Sequence, residues 1–255
     1  ALFTGPISGV PNAFGEQMAV GDFNGDGLTD LVIGAPGNHD AYVFLGPSGA
    51  TRAAEDADAI LRGAWGSDFG QAVAVADFDG DGDDEIVVGA PRASNGGQGS
   101  GSVFVFDDPS GTVGAGSATV VLDGSSPNLG FGTAVAGNID LDRDGFPDLV
   151  VGAPREDSDN GAVYAFLNPL AASVTTSSAA DARVIGTAHA QLGAFVTGAG
   201  DTDGDGFQEL AVTELLREGA GVVFNWTGDQ VLSGVPPLGV WSGDTIVGGG
   251  HHVGH

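Results

Sequence analysis

A nine-residue acidic pattern that occurs four times constrains this chain more than any other feature. The copies begin at residues 22, 77, 140 and 201, and each has oxygen-bearing side chains at positions 1, 3, 5 and 9 and glycine at position 6. Ordinary packing does not favour such a turn, because three or four carboxylates within nine residues repel one another. A hard divalent cation does favour it, since Ca²⁺ takes about six to eight oxygen ligands and the glycine permits a sharp turn around the ion. The pattern therefore predicts four calcium-binding loops.

The predicted ligands are the side chains at positions 1, 3, 5 and 9 and the backbone carbonyl at position 7. They are Asp22, Asn24, Asp26, Leu28 and Asp30 in loop 1; Asp77, Asp79, Asp81, Asp83 and Glu85 in loop 2; Asp140, Asp142, Asp144, Phe146 and Asp148 in loop 3; and Asp201, Asp203, Asp205, Phe207 and Glu209 in loop 4. Asn24 removes one charge from loop 1 but keeps an oxygen ligand. The side chain at position 7 varies freely, as expected if the residue contributes only its carbonyl.

Two other interpretations compete with calcium binding. Acidic, glycine-rich segments are often solvated turns, and one isolated copy would not distinguish the two. An EF-hand begins with the same spacing but needs flanking helices and a glutamate at position 12. Here position 12 is Ile33, Val88, Val151 or Val212, and short apolar runs bounded by glycine flank the loops, which indicates strands. The EF-hand is excluded, and four copies in one register argue against plain turns.

The loops recur at intervals of 55, 63 and 61 residues, which is typical of a repeat architecture. Each interval contains four short segments that predict strands, with the acidic loop between the first and the second. Segments 107–117 and 169–180 are rich in Gly, Ser, Thr and Ala, and they are predicted as rim loops between the third and fourth strands. We expect unit boundaries at about 2–58, 59–117, 118–181 and 182–237, with 238–255 starting a fifth unit.

Two short motifs flank each loop in a fixed order. In the second unit they are Phe69-Gly70 before the loop and Gly89-Ala90-Pro91 after it. This order resembles the FG-GAP repeat of integrin α-subunit propellers and related secreted bacterial proteins, over nearly the whole chain. The fourth unit departs from it, with Leu192-Gly193 in place of Phe-Gly and residues 211–214 in place of Gly-Ala-Pro.

The resemblance implies an all-β propeller of four-stranded antiparallel blades. It also implies calcium ions in the loops that join the first and second strands of the blades, and a ring of about seven blades. Four units and the start of a fifth therefore predict that these 255 residues are part of a longer polypeptide.

The charge of the chain excludes several partners. The formal net charge is −27 and there is no lysine; four Ca²⁺ would add eight positive charges, which leaves −19. Such a surface repels phosphate backbones and anionic lipids, so we expect neither nucleic-acid binding nor membrane insertion.

The sequence contains no recognisable catalytic motif. Most clustered carboxylates are already assigned to the loops, and no Ser or Cys nucleophile motif lies near His39 or His189. We therefore expect no enzymatic activity.

The predicted function is that of an extracellular or cell-surface module, because calcium sites of modest affinity suit the millimolar calcium outside cells. We expect adhesion, recognition or a structural role, with a protein or glycan ligand at the rim loops. One alternative is a carbohydrate-binding propeller or a non-catalytic appendage domain of a secreted hydrolase. Another is a subunit that self-associates through exposed blade edges.

Overall fold

The computed structural model describes residues 2–6, 12–47, 51–168, 170, 174–186, 189–202, 204, 208–215, 221–233, 239–242 and 245–247. Within these residues the chain forms 21 strands, two short helices and three 3₁₀ turns. No helix in the described ranges has the length and apolar character needed to cross a membrane. Of the predicted start of a fifth unit at 238–255, only residues 239–242 and 245–247 are described, so this unit stays a prediction.

Four sheets follow one another along the chain, and each contains four successive antiparallel strands. Sheet 1 consists of β2 (Met18–Gly21), β3 (Asp30–Ala35), β4 (Asp40–Phe44), β6 (Ala59–Arg62) and β10 (Gly111–Gly114). Sheet 2 consists of β7 (Ala72–Ala76), β8 (Glu85–Ala90), β9 (Ser102–Phe106), β11 (Val120–Asp123) and β15 (Val174–Thr176). Sheet 3 consists of β12 (Ala134–Ile139), β13 (Asp148–Ala153), β14 (Ala162–Phe166) and β16 (Ala182–Ile185). Sheet 4 consists of β17 (Val196–Gly200), β18 (Glu209–Leu215), β19 (Gly221–Trp226), β20 (Gly239–Ser242) and β21 (Thr245–Val247).

The remaining elements are short. Strands β1 (Phe3–Thr4) and β5 (Arg52–Ala53) form a parallel pair. The helices are α1 (Glu156–Asp159) and α2 (Gly228–Ser233), and the 3₁₀ turns are Ala54–Asp56, Ala115–Ser117 and Ser177–Ala179.

The first strands of the four sheets, β2, β7, β12 and β17, pack side by side in chain order. Their close approach follows from the small side chains of these strands, such as the alternating alanines of β7 (AVAVA). From this shared centre each sheet continues outward through its second, third and fourth strands. The prediction of an all-β propeller with four-stranded antiparallel blades is confirmed.

The hydrophobic core lies between neighbouring blades. Phe69, which precedes β7, is fully buried and contacts the rings of Phe104 and Phe106 at centroid distances of 5.6 and 6.2 Å. This cluster also contains Val32 and Val43 of sheet 1. Apolar burial of this kind is worth about 25 cal/mol per Å², so packing against a neighbour contributes to the stability of each blade.

Contacts between their glycines explain why the Phe-Gly and Gly-Ala-Pro motifs occur together. A Cβ on Gly34, in the Gly-Ala-Pro motif of sheet 1, would collide with the carbonyl oxygen of Gly70 in the next unit. Gly89 and Gly132 repeat this approach one blade later. Gly70 and Gly132 have φ values of +89° and +85°, a region that side-chain-bearing residues rarely occupy. The motifs therefore mark the point where adjacent blades come into backbone contact.

The prediction that 107–117 and 169–180 are loops is wrong for part of each segment. Residues 111–114 form β10, which pairs in parallel with β6 of the preceding blade, and residues 174–176 form β15, which pairs in parallel with β11. Strand β5 pairs with β1 in the same way. These clasp strands (β5, β10 and β15) are only two to four residues long, and the partners of β10 and β15 lie in the preceding blade. No local periodicity therefore predicts them.

Candidate metal centre

All four acidic loops lie between the first and second strands of their blades, at 22–29, 77–84, 140–147 and 201–208. Position 9 of each loop is the first residue of the second strand. These residues are Asp30, Glu85, Asp148 and Glu209, and each is at most 4% exposed. The β-strand therefore carries a carboxylate into the protein interior beneath each loop.

The buried carboxylate at position 9 holds the loop above it by a repeated hydrogen bond from the backbone N–H at position 2. The donors and acceptors are Phe23 and Asp30 Oδ2 (2.8 Å), Phe78 and Glu85 Oε2 (2.6 Å), Leu141 and Asp148 Oδ2 (2.7 Å), and Thr202 and Glu209 Oε2 (2.6 Å). The same geometry in all four copies shows that the loops are structurally equivalent at this point.

The carboxylate at position 1 shapes the turn from the other side. In loop 2 the Oδ1 of Asp77 accepts from the N–H of Gly80 at 2.7 Å, and its Oδ2 accepts from Gly82 at 3.2 Å. Gly82, at position 6, has a φ of +102°, which explains why this position is glycine in every copy.

Side chains that are separated in sequence come together in two of the loops. Asp77, Asp79 and Glu85 place one carboxylate oxygen each within 4.8 Å of one another, and Asp140, Asp142 and Asp148 do the same. Hard divalent cations bind such groups of oxygen ligands. Loop 1 has Asn24 at the corresponding position, and Asp203, Asp205 and Phe207 of loop 4 lie outside the described residues.

The residues present fit a cation because two of the buried carboxylates are incompletely satisfied. Oε1 of Glu85 and Oε1 of Glu209 are buried and have no hydrogen-bond partner in the described structure. An unpaired buried carboxylate oxygen is costly, and a cation bound in the loop would remove that cost. The Asp-ended loops differ, since Oδ1 of Asp30 and Oδ1 of Asp148 accept from the N–H groups of Gly46 and Asn168.

Two of the buried position-9 carboxyl groups have raised pKa values. Burial raises the pKa of Glu85 to about 7, and the neighbouring carboxylates of Asp79, Asp107 and Asp77 act in the same direction. Burial also raises the pKa of Asp148 to about 6, although backbone N–H groups of Asn168 and Leu141 oppose the shift. A bound divalent cation would favour the charged forms of both groups.

The side chains at position 7 differ from loop to loop, and two of them contact the preceding loop. The carboxylate of Asp83 lies against Gly25 of loop 1, so that a Cβ on Gly25 would overlap Oδ1 of Asp83. The ring of Phe146 lies against Gly80 of loop 2 in the same way, with Cε1 at 2.9 Å from the Cβ position. Position 7 therefore connects each of these loops to the one before it. Whether its carbonyl also binds the ion, as predicted for Leu28, Asp83 and Phe146, stays a prediction.

Three polar residues that contribute to the site were missed from the sequence. Asp84 bonds to the backbone of Asp22 across the blade junction, and Asn168 joins Asp148 to the carbonyl oxygen of Phe78. Asp107 lies with Asp79 and Glu85 on the wall of a cavity of about 450 Å³ between loops 2 and 3. Asp84 could have been noticed in the sequence because loop 2 has acidic residues at positions 7 and 8 in addition to positions 1, 3, 5 and 9. Asp107 and Asn168 follow the third strands and belong to no repeated acidic pattern.

Three segments of the chain match the family model of the FG-GAP repeat, at residues 14–51, 69–106 and 131–166. The chain contains FG-GAP repeats. Each of the three matches includes one acidic loop with its two flanking strands, and loop 4 lies beyond them. The predicted resemblance to FG-GAP proteins of the integrin type is thereby confirmed.

Integrin α-subunits are among the relatives of these FG-GAP repeats. Human integrin alpha-6 is 36% identical over 154 residues, which cover 57% of this chain and 13% of that protein. Human integrin alpha-IIb is 36% identical over 165 residues, covering 60% of this chain and 15% of that protein. Human integrin alpha-11 is 34% identical over 188 residues, covering 72% of this chain and 16% of that protein. The chain therefore spans about one seventh of the length of these relatives.

Proposed function

We propose that this protein is an extracellular calcium-binding propeller that acts as an adhesion or recognition module. The observation that carries the calcium assignment is the buried Oε1 of Glu85, which has no hydrogen-bond partner among the described residues and belongs to the carboxylate cluster of Asp77, Asp79 and Glu85. Each of the four loops would hold one Ca²⁺ through positions 1, 3, 5, 7 and 9. Each sequence unit would thereby bind one ion.

Calcium suits these loops better than smaller or softer ions. The ligands are all oxygen atoms, and the chain has no cysteine, so the donor set is that of a hard cation. Five protein oxygens around one ion favour the large, adaptable coordination sphere of Ca²⁺ over the strict octahedron of Mg²⁺.

The structural role proposed for the ions follows from the position of the loops. A cation bound between position 1 and position 9 would connect the end of the first strand to the start of the second. It would also neutralise a loop whose carboxylates otherwise repel one another. Because successive loops contact through Asp83 and Phe146, the ions would stiffen one end of the propeller as a whole.

The opposite end of the blades is the more suitable surface for a partner. Trp65 lies in the turn between β6 and β7, at the end of β7 remote from loop 2, and it is 92% exposed. Its ring meets that of His39 edge-to-face at a centroid distance of 5.1 Å, which gives it a defined orientation. Oriented, exposed aromatic rings commonly anchor protein ligands and sugars. The similarity to integrins supports a role in recognition at such a surface.

A binding panel tests the recognition function. The protein is applied to arrays of purified extracellular-matrix proteins and of glycans, in about 1 mM calcium and in excess chelator. We expect at least one saturable, calcium-dependent interaction that Trp65→Ala weakens about tenfold or more, while the exposed control Glu55→Gln leaves it unchanged. If no array member is bound in calcium, the recognition function is contradicted. Binding that persists unchanged in chelator would contradict its dependence on the loops.

A further inference from the structure

Loop 1 differs in charge from the other three acidic loops of the sequence. Asn24 leaves it with three carboxylates, from Asp22, Asp26 and Asp30, whereas the corresponding positions of each other loop supply four. Calcium affinity in sites of this kind depends on the number of charged ligands. Loop 1 would therefore be the weakest site if it relied on its own side chains alone.

Asp83 of loop 2 lies where it can supply the missing charge. It occupies position 7, at which the other loops have the apolar residues Leu28, Phe146 and Phe207. Its carboxylate is in contact with Gly25, the residue between Asn24 and Asp26. The only charged position-7 side chain of the sequence is thus directed at the only loop that lacks a charge.

Asp84 holds this arrangement in place. Its N–H donates to the carbonyl oxygen of Asp22 at 2.7 Å, and its Oδ2 accepts from the N–H of Asp22 at 2.9 Å. A Cβ on Gly21 would come within 2.5 Å of the same oxygen, so a side chain at this position would displace the Asp84 carboxylate. The reciprocal pair fixes the end of loop 2 against the start of loop 1, and Asp83, the preceding residue, is positioned with it.

The junction between loops 2 and 3 provides an internal comparison. Phe146 lies against Gly80 as Asp83 lies against Gly25. Pro147 occupies the position of Asp84 and has no N–H to donate. The second junction therefore has the same close approach without the charge and without the reciprocal hydrogen bonds.

We propose that Asp83 supplies the fourth carboxylate of the loop 1 calcium site from the neighbouring blade, while its own loop uses its backbone carbonyl. The inference rests on the proposed calcium binding of these loops. Its consequence is that neutralising Asp83 weakens calcium binding more in loop 1, where the carboxylate is a ligand, than in loop 2, which contains it.

Hydrogen exchange of segments 22–30 and 77–85 across a calcium titration gives a separate midpoint for each loop. Asp83→Asn removes the charge and keeps the side-chain shape. We expect it to raise the loop 1 midpoint about fivefold, which is the size of the interaction of one charge with a nearby divalent ion at high dielectric constant. The loop 2 midpoint rises by no more than about twofold, since loop 2 loses a charge near Asp81 but keeps the backbone carbonyl of residue 83 as a ligand. Adding Asn24→Asp to Asp83→Asn restores the loop 1 midpoint.

Two controls separate a charge effect from a structural one. Phe146→Leu changes the equivalent contact at the next junction without changing charge, and Glu55→Gln removes one exposed charge that belongs to none of the acidic loops; both leave the loop 1 midpoint unchanged. The difference between the unsubstituted chain and Asp83→Asn also shrinks when salt is raised from about 0.05 M to about 0.5 M.

The inference is overturned if Asp83→Asn leaves loop 1 unchanged, if it shifts both loops equally, or if Asn24→Asp fails to rescue it. Absence of calcium-dependent protection in every loop of the unsubstituted chain would overturn the proposed function, and the inference with it. Protection that is intact in loops 2 and 3 but independent of Asp83 in loop 1 would overturn the inference alone.

Discussion

The backbone N–H of Phe78 donates a 2.6 Å hydrogen bond to Oε2 of Glu85, while Oε1 of the same carboxylate is buried and accepts no hydrogen bond from the part of the chain that the structure describes. One oxygen thus holds the loop, and the other is available to an ion. Thr202 and Glu209 repeat this relationship in loop 4. Because the two oxygens of one carboxylate have different surroundings, the residue at position 9 can hold the loop with one oxygen and bind an ion with the other.

Glu85→Gln is expected to change stability in opposite directions with and without calcium. In calcium-free buffer at about pH 7.5 the melting temperature stays equal or rises, because the buried carboxylate beside Asp77 and Asp79 becomes neutral. In about 1 mM calcium it falls, because the site loses a charged ligand. Thermal melts in the two buffers check this, with Glu55→Gln as the exposed control. A change of the same sign in both buffers would show that Glu85 has no role in ion binding.

Acidification is expected to stabilise the calcium-free protein. The pKa values of Glu85 and Asp148 are raised to about 7 and about 6 in the folded chain, from 4.5 and 3.8. The folded state therefore binds more protons than the unfolded state in this window, so the free energy of unfolding rises as pH falls from about 7.5 to about 5. Melting curves in calcium-depleted buffers measure the trend. In saturating calcium the free energy of unfolding falls as pH falls, since protons compete with the ion for the carboxylates. A stability that falls with pH in the calcium-depleted buffer as well would contradict the raised pKa values of Glu85 and Asp148.

The clasp strands are expected to stabilise the junctions between blades. Val113 of β10 packs on the core shared by sheets 1 and 2, while Thr112 beside it is exposed. Val113→Ala should lower the free energy of unfolding by about 1 kcal/mol, against less than about 0.5 kcal/mol for the control Thr112→Ala. Denaturant titration in calcium compares the two. Equal, small effects would mean that β10 contributes little to holding the blades together.

The features that could be predicted from the sequence are local ones that recur in every unit. The acidic loops, the flanking strands and the motifs Phe-Gly and Gly-Ala-Pro are each set by residues within about ten positions of one another in the sequence. Gly70 and Gly34 show why the motif is informative: each needs the absence of a side chain at a backbone contact between blades. Because the Phe-Gly and Gly-Ala-Pro motifs recur together, their pairing can be recognised from the sequence without knowledge of the fold.

What sequence reasoning missed depends on contacts between units. The clasp strands β10 and β15 have no partner within their own blade, so their segments were predicted as loops. Asp83 and Phe146 share no chemistry, and only the packing of successive loops reveals that they occupy the same place. Asn168 reaches the carbonyl oxygen of Phe78 across 90 residues of sequence, a distance at which no spacing rule applies.

Magnesium is expected to be a poor substitute for calcium. Ligands from five positions of one tight loop leave little room for the waters that Mg²⁺ retains, and its shorter bonds would compress the turn at Gly82. Titration calorimetry should give at least about tenfold weaker binding for Mg²⁺ than for Ca²⁺. Equal affinities would indicate a site that holds hydrated ions through outer-sphere contacts.

The number of calcium ions bound per chain tests the central claim most directly. Equilibrium dialysis in about 10 mM calcium, which saturates sites of the affinity expected for extracellular modules, followed by elemental analysis, should give four ions per chain for the unsubstituted protein and three for Asp81→Ala. If each site has a dissociation constant of about 0.1 mM, chelation should remove about 1.4 kcal/mol of stability per site relative to about 1 mM calcium. Fewer than one ion per chain, with a melting curve that chelator leaves unchanged, would contradict the assignment of the acidic loops as calcium sites.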